Sequence, residues 1–297
     1  MWLPRVGLQG LFKMTLFRHV VALSGVGVGG GSLVYANTLP VPKSEFFNSG
    51  HWKGLDSWEE VLQPYYELAK RMLGAELHPY MSRSDKAMLD LAKEMNIESA
   101  FEKTEVAVHF GKVGETVPDP YFGGRGPDRT GCNLCGGCML GCRFNAKNTL
   151  DKNYLHLAQQ LGAEIWAEKE VYDVIPIKDD GSDGYEIRWK DSLSWFPSKG
   201  KILTKGIIFA GGVTGTVKLL FKLKSTSLKN LSETVGQGVR TNSESLIGVT
   251  TFDRKAVFSE GIAIGSIVHL DESRHLEPVK YSAGAGFWRL FMAPMVH

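Results

Sequence analysis

Residues 17–32 read FRHVVALSGVGVGGGS. The apolar, β-branched run at 17–24 predicts a strand, and it feeds directly into a glycine cluster at 25–31. The first six residues of the cluster fit G-x-G-x-x-G, where missing side chains let a backbone approach a pyrophosphate. A dinucleotide site also needs a helix opening at the last glycine and an acid about 20 residues on to hold a ribose. Neither is clean here. SLVYANTL, residues 32–39, can open a helix or stay extended, and Pro40 and Pro42 then break it. The nearest acid, Glu45, lies beyond both prolines. A glycine loop lying along a flavin fits these residues better than a nicotinamide site.

Working outward, Ser57 and Glu60 are spaced as a capping box, and Val61, Tyr65, Leu68 and Met72 recur at helical intervals. They predict a helix that is kinked or split at Pro64 and stopped at Gly74. A second helix is predicted over 85–95, capped by Ser84. TEVAVHF, 104–110, alternates as a strand does. Asn148 or Thr149 is the expected cap of a helix over 150–161, ended by Gly162. Strands are predicted over 164–177, 184–190 and 201–210. The last ends in the apolar run GIIFA, followed by Gly211, Gly212 and a helix to about 223. Strand, glycine turn and helix form the α/β unit that approaches phosphates or flavins.

Composition narrows the function classes. The chain has 297 residues, of which 43% are hydrophobic and 22% charged, so it can bury a core and is not disordered. Lys and Arg number 34 against 32 Asp and Glu, and the net charge of +2 provides no field for nucleic acid. No stretch reaches the ~18 apolar residues of a spanning helix. Lys13 and Arg18 interrupt any signal-peptide core, so the expectation is cytoplasmic residence, with peripheral membrane contact left open. G-x-S-x-G, H-E-x-x-H and the P-loop pattern are absent.

The four cysteines form the run Cys132-x-x-Cys135-x-x-Cys138-x-x-x-Cys142, the spacing of bacterial ferredoxins. Arg143 stands where that run has proline. Three readings stay open: ligands of an iron–sulfur cluster, a zinc site lacking its usual partner pair about 12–20 residues away, or reduced buried thiols shaping a glycine-rich turn. His275 and Glu277 stand together in ESRHLEPVKY, and a carboxylate in an apolar cavity can shuttle a proton.

Taken together, GVGVGGGSLVYANTL, VPDPYFGGRGPDRTGCNLCGGCMLGCRFNAKNTLDKNYL, FAGGVTGTVKLL and VRTNSESLIG resemble the cholesterol-oxidase branch of the glucose–methanol–choline (GMC) flavoprotein oxidoreductases. The likeness is closest to the bacterial and mycobacterial type that carries the cysteine run, and it covers essentially the whole chain. It implies an α/β fold: a Rossmann-like FAD-binding domain of GMC type, incomplete here, with an α+β substrate-binding domain. The implied organisation is a flavin-contacting loop at 1–40, a helical and loop-rich cap region with the cysteine run at 41–148, the return of the FAD domain at 149–240, and the start of a substrate domain at 241–297.

The implied chemistry is oxidation of a sterol or related alcohol. Hydride passes to flavin N5, oxygen or another acceptor takes the electrons, and in sterol oxidases the double bond then migrates. The cofactor-contacting residues implied are Gly29, Gly30, Gly31, Ser32, Tyr35, Ala36, Asn37, Thr38, Val171, Ala210 and Gly211. Glu277 matches the isomerising carboxylate. Family members open with a unit binding the ADP half of FAD and close with a region bearing a catalytic histidine and an asparagine. The resemblance thus implies an interior fragment of a protein about twice as long. A flavin and iron–sulfur dehydrogenase or electron-transfer module, and an inactive truncated remnant, are the alternatives.

Overall fold

In the computed structural model, residues 1–50, 53–240, 244–248, 253 and 255–286 are described. The chain divides into two compact units, residues 1–31 with 164–249 and residues 32–163 with 250–297.

In the first unit, Phe12–Leu16 pairs antiparallel with Val21–Gly25, so the predicted strand exists but starts later and has a hairpin partner. A three-stranded antiparallel meander follows, Lys169–Pro176, Tyr185–Asp191 and Lys199–Thr204. A bulge between Val171 and Asp173 shifts its register. The helix Val213–Ser225 buries Leu223 fully, as the meander does Val174. Lys222 donates to the Tyr172 carbonyl (2.7 Å) and Ser227 to Asp173 (3.0 Å).

Two expectations fail here. The first strand of the meander begins at Lys169 rather than 164, because the chain first turns through Glu168 at φ 60°. The run 206–210 is no strand, and Ile208 is 91% exposed. No strand lies beside this run among the described residues, so its backbone groups have no ladder to join.

In the second unit, the sheet order is His275–Leu276, Ser266–His269, Phe101–Lys103, all antiparallel. The helix Arg83–Glu94 packs beside it. Its cap is Ser82, not Ser84: the Ser82 hydroxyl accepts the Asp85 amide while the Asp85 carboxylate accepts the Ser82 amide (2.8 Å). Asp85, three residues after Ser82, closes this reciprocal pair.

The helix Trp58–Met72 runs through Pro64 without interruption. Ser57 precedes it but makes no side-chain cap, so that predicted box is not formed. Gly74 does stop it, at φ 56° and against the Tyr121 ring, which leaves no room for a Cβ. The predicted helix over 150–161 is a short 3-10 turn, Leu150–Lys152, which Thr149 precedes without a side-chain cap bond, followed by the α-helix Tyr154–Gln160, whose side-chain cap is Asn153. Of the strand predicted over 104–110 only Glu105–Val106 forms, and Ala107 is as buried as Val106 and Val108, so the segment is covered on both faces and does not alternate. Val106 and Val108 join Cys132, Cys138, Ala146, Ile262 and Ala263 in the core.

Every strand pairing among the described residues is antiparallel, with only isolated parallel bridges at Val113–Gly131 and Cys135–Gly261. The parallel sheet that a Rossmann-like reading implies is therefore not formed among them. No described helix is long and apolar enough to cross a membrane.

Candidate functional site

The strand Val21–Gly25 delivers the glycine cluster. Gly27, Gly29 and Gly30 take φ values of 142°, 108° and 56°, a path closed to most residues with side chains. The Gly30 amide donates to the Gly27 carbonyl (3.0 Å), and a 3-10 turn spans Gly30–Leu33. No α-helix follows. Among the described residues the loop therefore leads into a 3-10 turn and not into an α-helix terminus. At Gly30 and Gly31 an added Cβ would meet nothing within 4 Å, so one side of the loop is open.

Residues 32–38 belong to the second unit, where 145–153 grip them. Ser32 Oγ accepts the Leu150 amide (2.9 Å), and Tyr35 donates its hydroxyl to the Asn148 carbonyl (2.8 Å). Burial, and then the nearby Cys138 sulfur, push the Tyr35 phenol well above its ordinary pKa. Lys147 is completely buried. Its Nζ donates to the carbonyls of Leu33 (3.2 Å), Tyr35 (2.7 Å) and Cys138 (2.8 Å), and stands 4.5 Å from the Tyr35 ring centre. Desolvation brings its pKa down to about 8.

Arg129, almost as buried, is held by Asn145, Asn148 and the carbonyls of Ala146 and Lys147. Reading the sequence did not single out these cations. Their only trace is the strings GPDRTG, which holds Arg129, and CRFNAKNTLDKNYL, which holds Lys147, since nothing local shows that either cation is buried.

Asn37 is fully buried at φ 59°, and neither atom of its amide has a hydrogen-bond partner. The Thr38 hydroxyl is likewise unpartnered. The Asn37 backbone is pinned by the Ala107 amide (2.8 Å). Buried polar groups are nearly always satisfied, so two adjacent orphans in a backbone held from both sides fit the polar ring of a cofactor. The residues present thus fit a flavin.

Val171 and Ala210–Gly211 lie in the same unit as the glycine loop. Val171 pairs with Trp189 in the meander, and Ala210 and Gly211 are exposed just before the helix Val213–Ser225. In the second unit, Glu277 meets His275 at 3.3 Å, as their spacing suggests.

The four cysteines are free, and all four line one small cavity of about 10 Å³ with Gly136, Gly137 and Lys147. Sulfurs of Cys132 and Cys142 accept the amides of Leu134 and Lys147 (each 3.4 Å), and Cys138 accepts that of Ala263. Burial pushes the thiols of Cys132 and Cys138 up to about 12 and about 11. Among the described residues, no three of His, Cys, Asp and Glu form a group that could hold a metal ion as they lie.

A larger cavity, about 630 Å³, opens beside Thr38, between Pro40, Lys70, Phe101, Glu105 and His269. Sequence reading did not find it, because its walls come from segments far apart in the chain. Nor did it find the buried pair Asp85 and Lys280, 3.6 Å apart.

The chain belongs to the GMC oxidoreductase family, whose sequence profile matches residues 7–240. It is similar to proteins named cholesterol oxidase. One from Acinetobacter baumannii is 42% identical over 292 residues, covering 96% of this chain and 52% of that protein. One from Mycobacterium tuberculosis (strain H37Rv) is 40% identical over 305 residues, covering 99% of this chain and 52% of the relative. The chain thus spans about half the length of the curated relatives it matches.

Proposed function

We propose that this chain is the FAD-holding part of an enzyme that oxidises the hydroxyl of a sterol or related apolar alcohol, with oxygen or another molecule as the final electron acceptor. The observation that carries the reading is Asn37, buried, left-handed and unpartnered at both amide atoms, in a segment pinned by Ser32, Tyr35 and Lys147. FAD, when bound, supplies the acceptor for the two electrons of the carbinol. Gly29, Gly30 and Gly31 allow the approach of the cofactor, while Ser32, Tyr35, Ala36, Asn37 and Thr38 hold and orient it. Val171, Ala210 and Gly211 are assigned to its adenine side and to the glycine turn. The 630 Å³ cavity beside Thr38 lies in the size range of ligand sites, about 300–1,000 Å³.

Glu277, paired with His275, is assigned the proton transfer that moves a steroid double bond. The likeness to proteins named cholesterol oxidase supports the sterol, and the fit of residues 32–38 supports the flavin.

The chain mixed with FAD and desalted should retain flavin absorption, and N37G should lose it without loss of folded stability, since glycine accepts φ 59°. Equal retention by both would refute the assignment of Asn37. In flavin-loaded enzyme supplied with a 3β-hydroxy-5-ene sterol, E277Q should spare peroxide release and suppress the conjugated-enone signal. Loss of both would refute the role of Glu277.

A further inference from the structure

We propose that Cys132, Cys135, Cys138 and Cys142 are the thiolate ligands of one iron–sulfur cluster, with Lys147 as its buried counter-cation. This centre is additional to the flavin site and stands independently of it.

Three observations converge. First, the backbone wraps all four cysteines around a single cavity. The wrapping uses left-handed conformations at Leu134 (φ 57°), Gly136 (67°), Gly141 (100°) and Cys142 (49°). Two of these are not glycine, and such a path is uncommon for residues with a Cβ. Second, three of the four sulfurs accept backbone amides, from Leu134, Lys147 and Ala263. Amide hydrogen bonds to sulfur are what a protein uses to stabilise and tune cluster thiolates.

Third, two buried cations adjoin this loop. Lys147 and Arg129 are 0% and 1% exposed. Among the described residues neither forms an ion pair with a carboxylate, and their hydrogen-bond acceptors are carbonyls and amides. A buried charge without a counter-charge is unfavourable by several kcal/mol. Lys147 faces the cysteine cavity, and a tetrathiolate cluster is an anion.

Zinc draws four sulfurs to about 2.3 Å from one point, and no such grouping is found among the described residues. Cluster thiolates stand on the corners of a larger body. The cavity as it stands is smaller than a cluster, about 10 Å³. The widening falls to Cys135 and Cys142, which are only half-buried, whereas Cys132 and Cys138 are fixed in the core. Because Lys147 also donates to Leu33 and Tyr35, the centre lies one side chain from the segment assigned to flavin.

The test is metal analysis of the chain purified without oxygen, after reconstitution with ferrous iron and sulfide. Iron and acid-labile sulfide should be retained in equal amounts through desalting. The C135S/C138S variant should retain at least about tenfold less of both, with its circular dichroism unchanged. Zinc without sulfide, no retained metal, or full retention by a folded C135S/C138S variant would each overturn the proposal. Should that variant not fold, X-ray absorption of the reconstituted wild-type protein decides. An all-sulfur iron shell supports the cluster, and nitrogen or oxygen ligands refute it. In an electron-paramagnetic-resonance redox titration, K147M should shift the midpoint to more negative potential, since a nearby positive charge favours the more anionic reduced state. An unchanged midpoint refutes the role of Lys147.

Discussion

Replacing Lys280 by Met removes one half of a buried ion pair. Lys280 Nζ lies 3.6 Å from Asp85 Oδ2, with the two side chains 5% and 1% exposed, and it donates to Ser82 Oγ (2.5 Å). At an effective dielectric constant of about 20, unit charges at that separation attract by roughly 4–5 kcal/mol. Mutational experience with one-sided removal of buried pairs gives about 3–5 kcal/mol. The two agree, and K280M is expected to destabilise the second unit by about that much. Asp85 keeps the Ser82 amide and the Ser266 hydroxyl (2.9 Å), which holds the loss toward the lower end.

Methionine matches the length of the lysine stem, so little of the effect is cavity. The double variant D85N/K280M leaves no unpaired charge and should be less destabilised than the sum of the single variants by about 1–3 kcal/mol. Urea unfolding, with amide exchange of 83–94 and 266–269 read in parallel, measures all three against wild type. A loss below about 1 kcal/mol for K280M, or strict additivity in the double variant, would refute the argument that these charges stabilise each other.

The pH dependence has a definite sign. Burial raises the Asp85 pKa, but the Ser82 hydroxyl, Lys280, the Ser82 amide and Ser266 outweigh it, and the carboxyl ends below its ordinary value of 3.8. Lys280 is itself lowered, chiefly by desolvation, while the charge of Asp85 and its hydrogen bond oppose that shift. The folded carboxyl is the stronger acid, so its contribution is present above pH 3.8 and is lost as pH falls through the lower folded value. K280M should therefore be less sensitive to acid than wild type.

Two further expectations follow from the same reasoning. At Gly74 an alanine suffers both φ 56° and the Tyr121 ring, and G74A should cost about 2–4 kcal/mol in thermal unfolding. G162A, at φ 94° with nothing within 4 Å, should cost only about 1–2 kcal/mol, and equal losses would refute the steric part. Asp119 accepts amides of Tyr121, Phe122, Gly124 and Gly126, which outweigh its desolvation and hold its pKa down. D119A should destabilise by about 1.5–3 kcal/mol near neutrality and by less as pH falls through that lowered value, read by thermal melts against pH.

Local signals in the sequence carried real information. The strand before the glycine cluster, the helix ended by Gly74 and the turn at Gly162 all follow from short-range rules, because backbone sterics and side-chain period act within a few residues. The sequence alone also singled out residues 25–38 and the cysteine run. Caps shifted by two to five residues, at Ser82 and Asn153, because several hydroxyls and amides compete and the folded backbone chooses among them. The run 206–210 shows the limit of an apolar pattern, which marks a strand only when another strand lies beside it.

What only the tertiary structure decided is the set of long-range polar partners. Ser82 and Lys280 meet across 198 residues, and Lys147 reaches Leu33 across 114. No local rule says which lysine loses its water. Its burial is set by the packing of distant segments, and the charge is then stabilised by whatever acceptors those segments bring. For the same reason, the orphaned amide of Asn37, the residue on which the flavin reading rests, is visible only once the chain is folded around it.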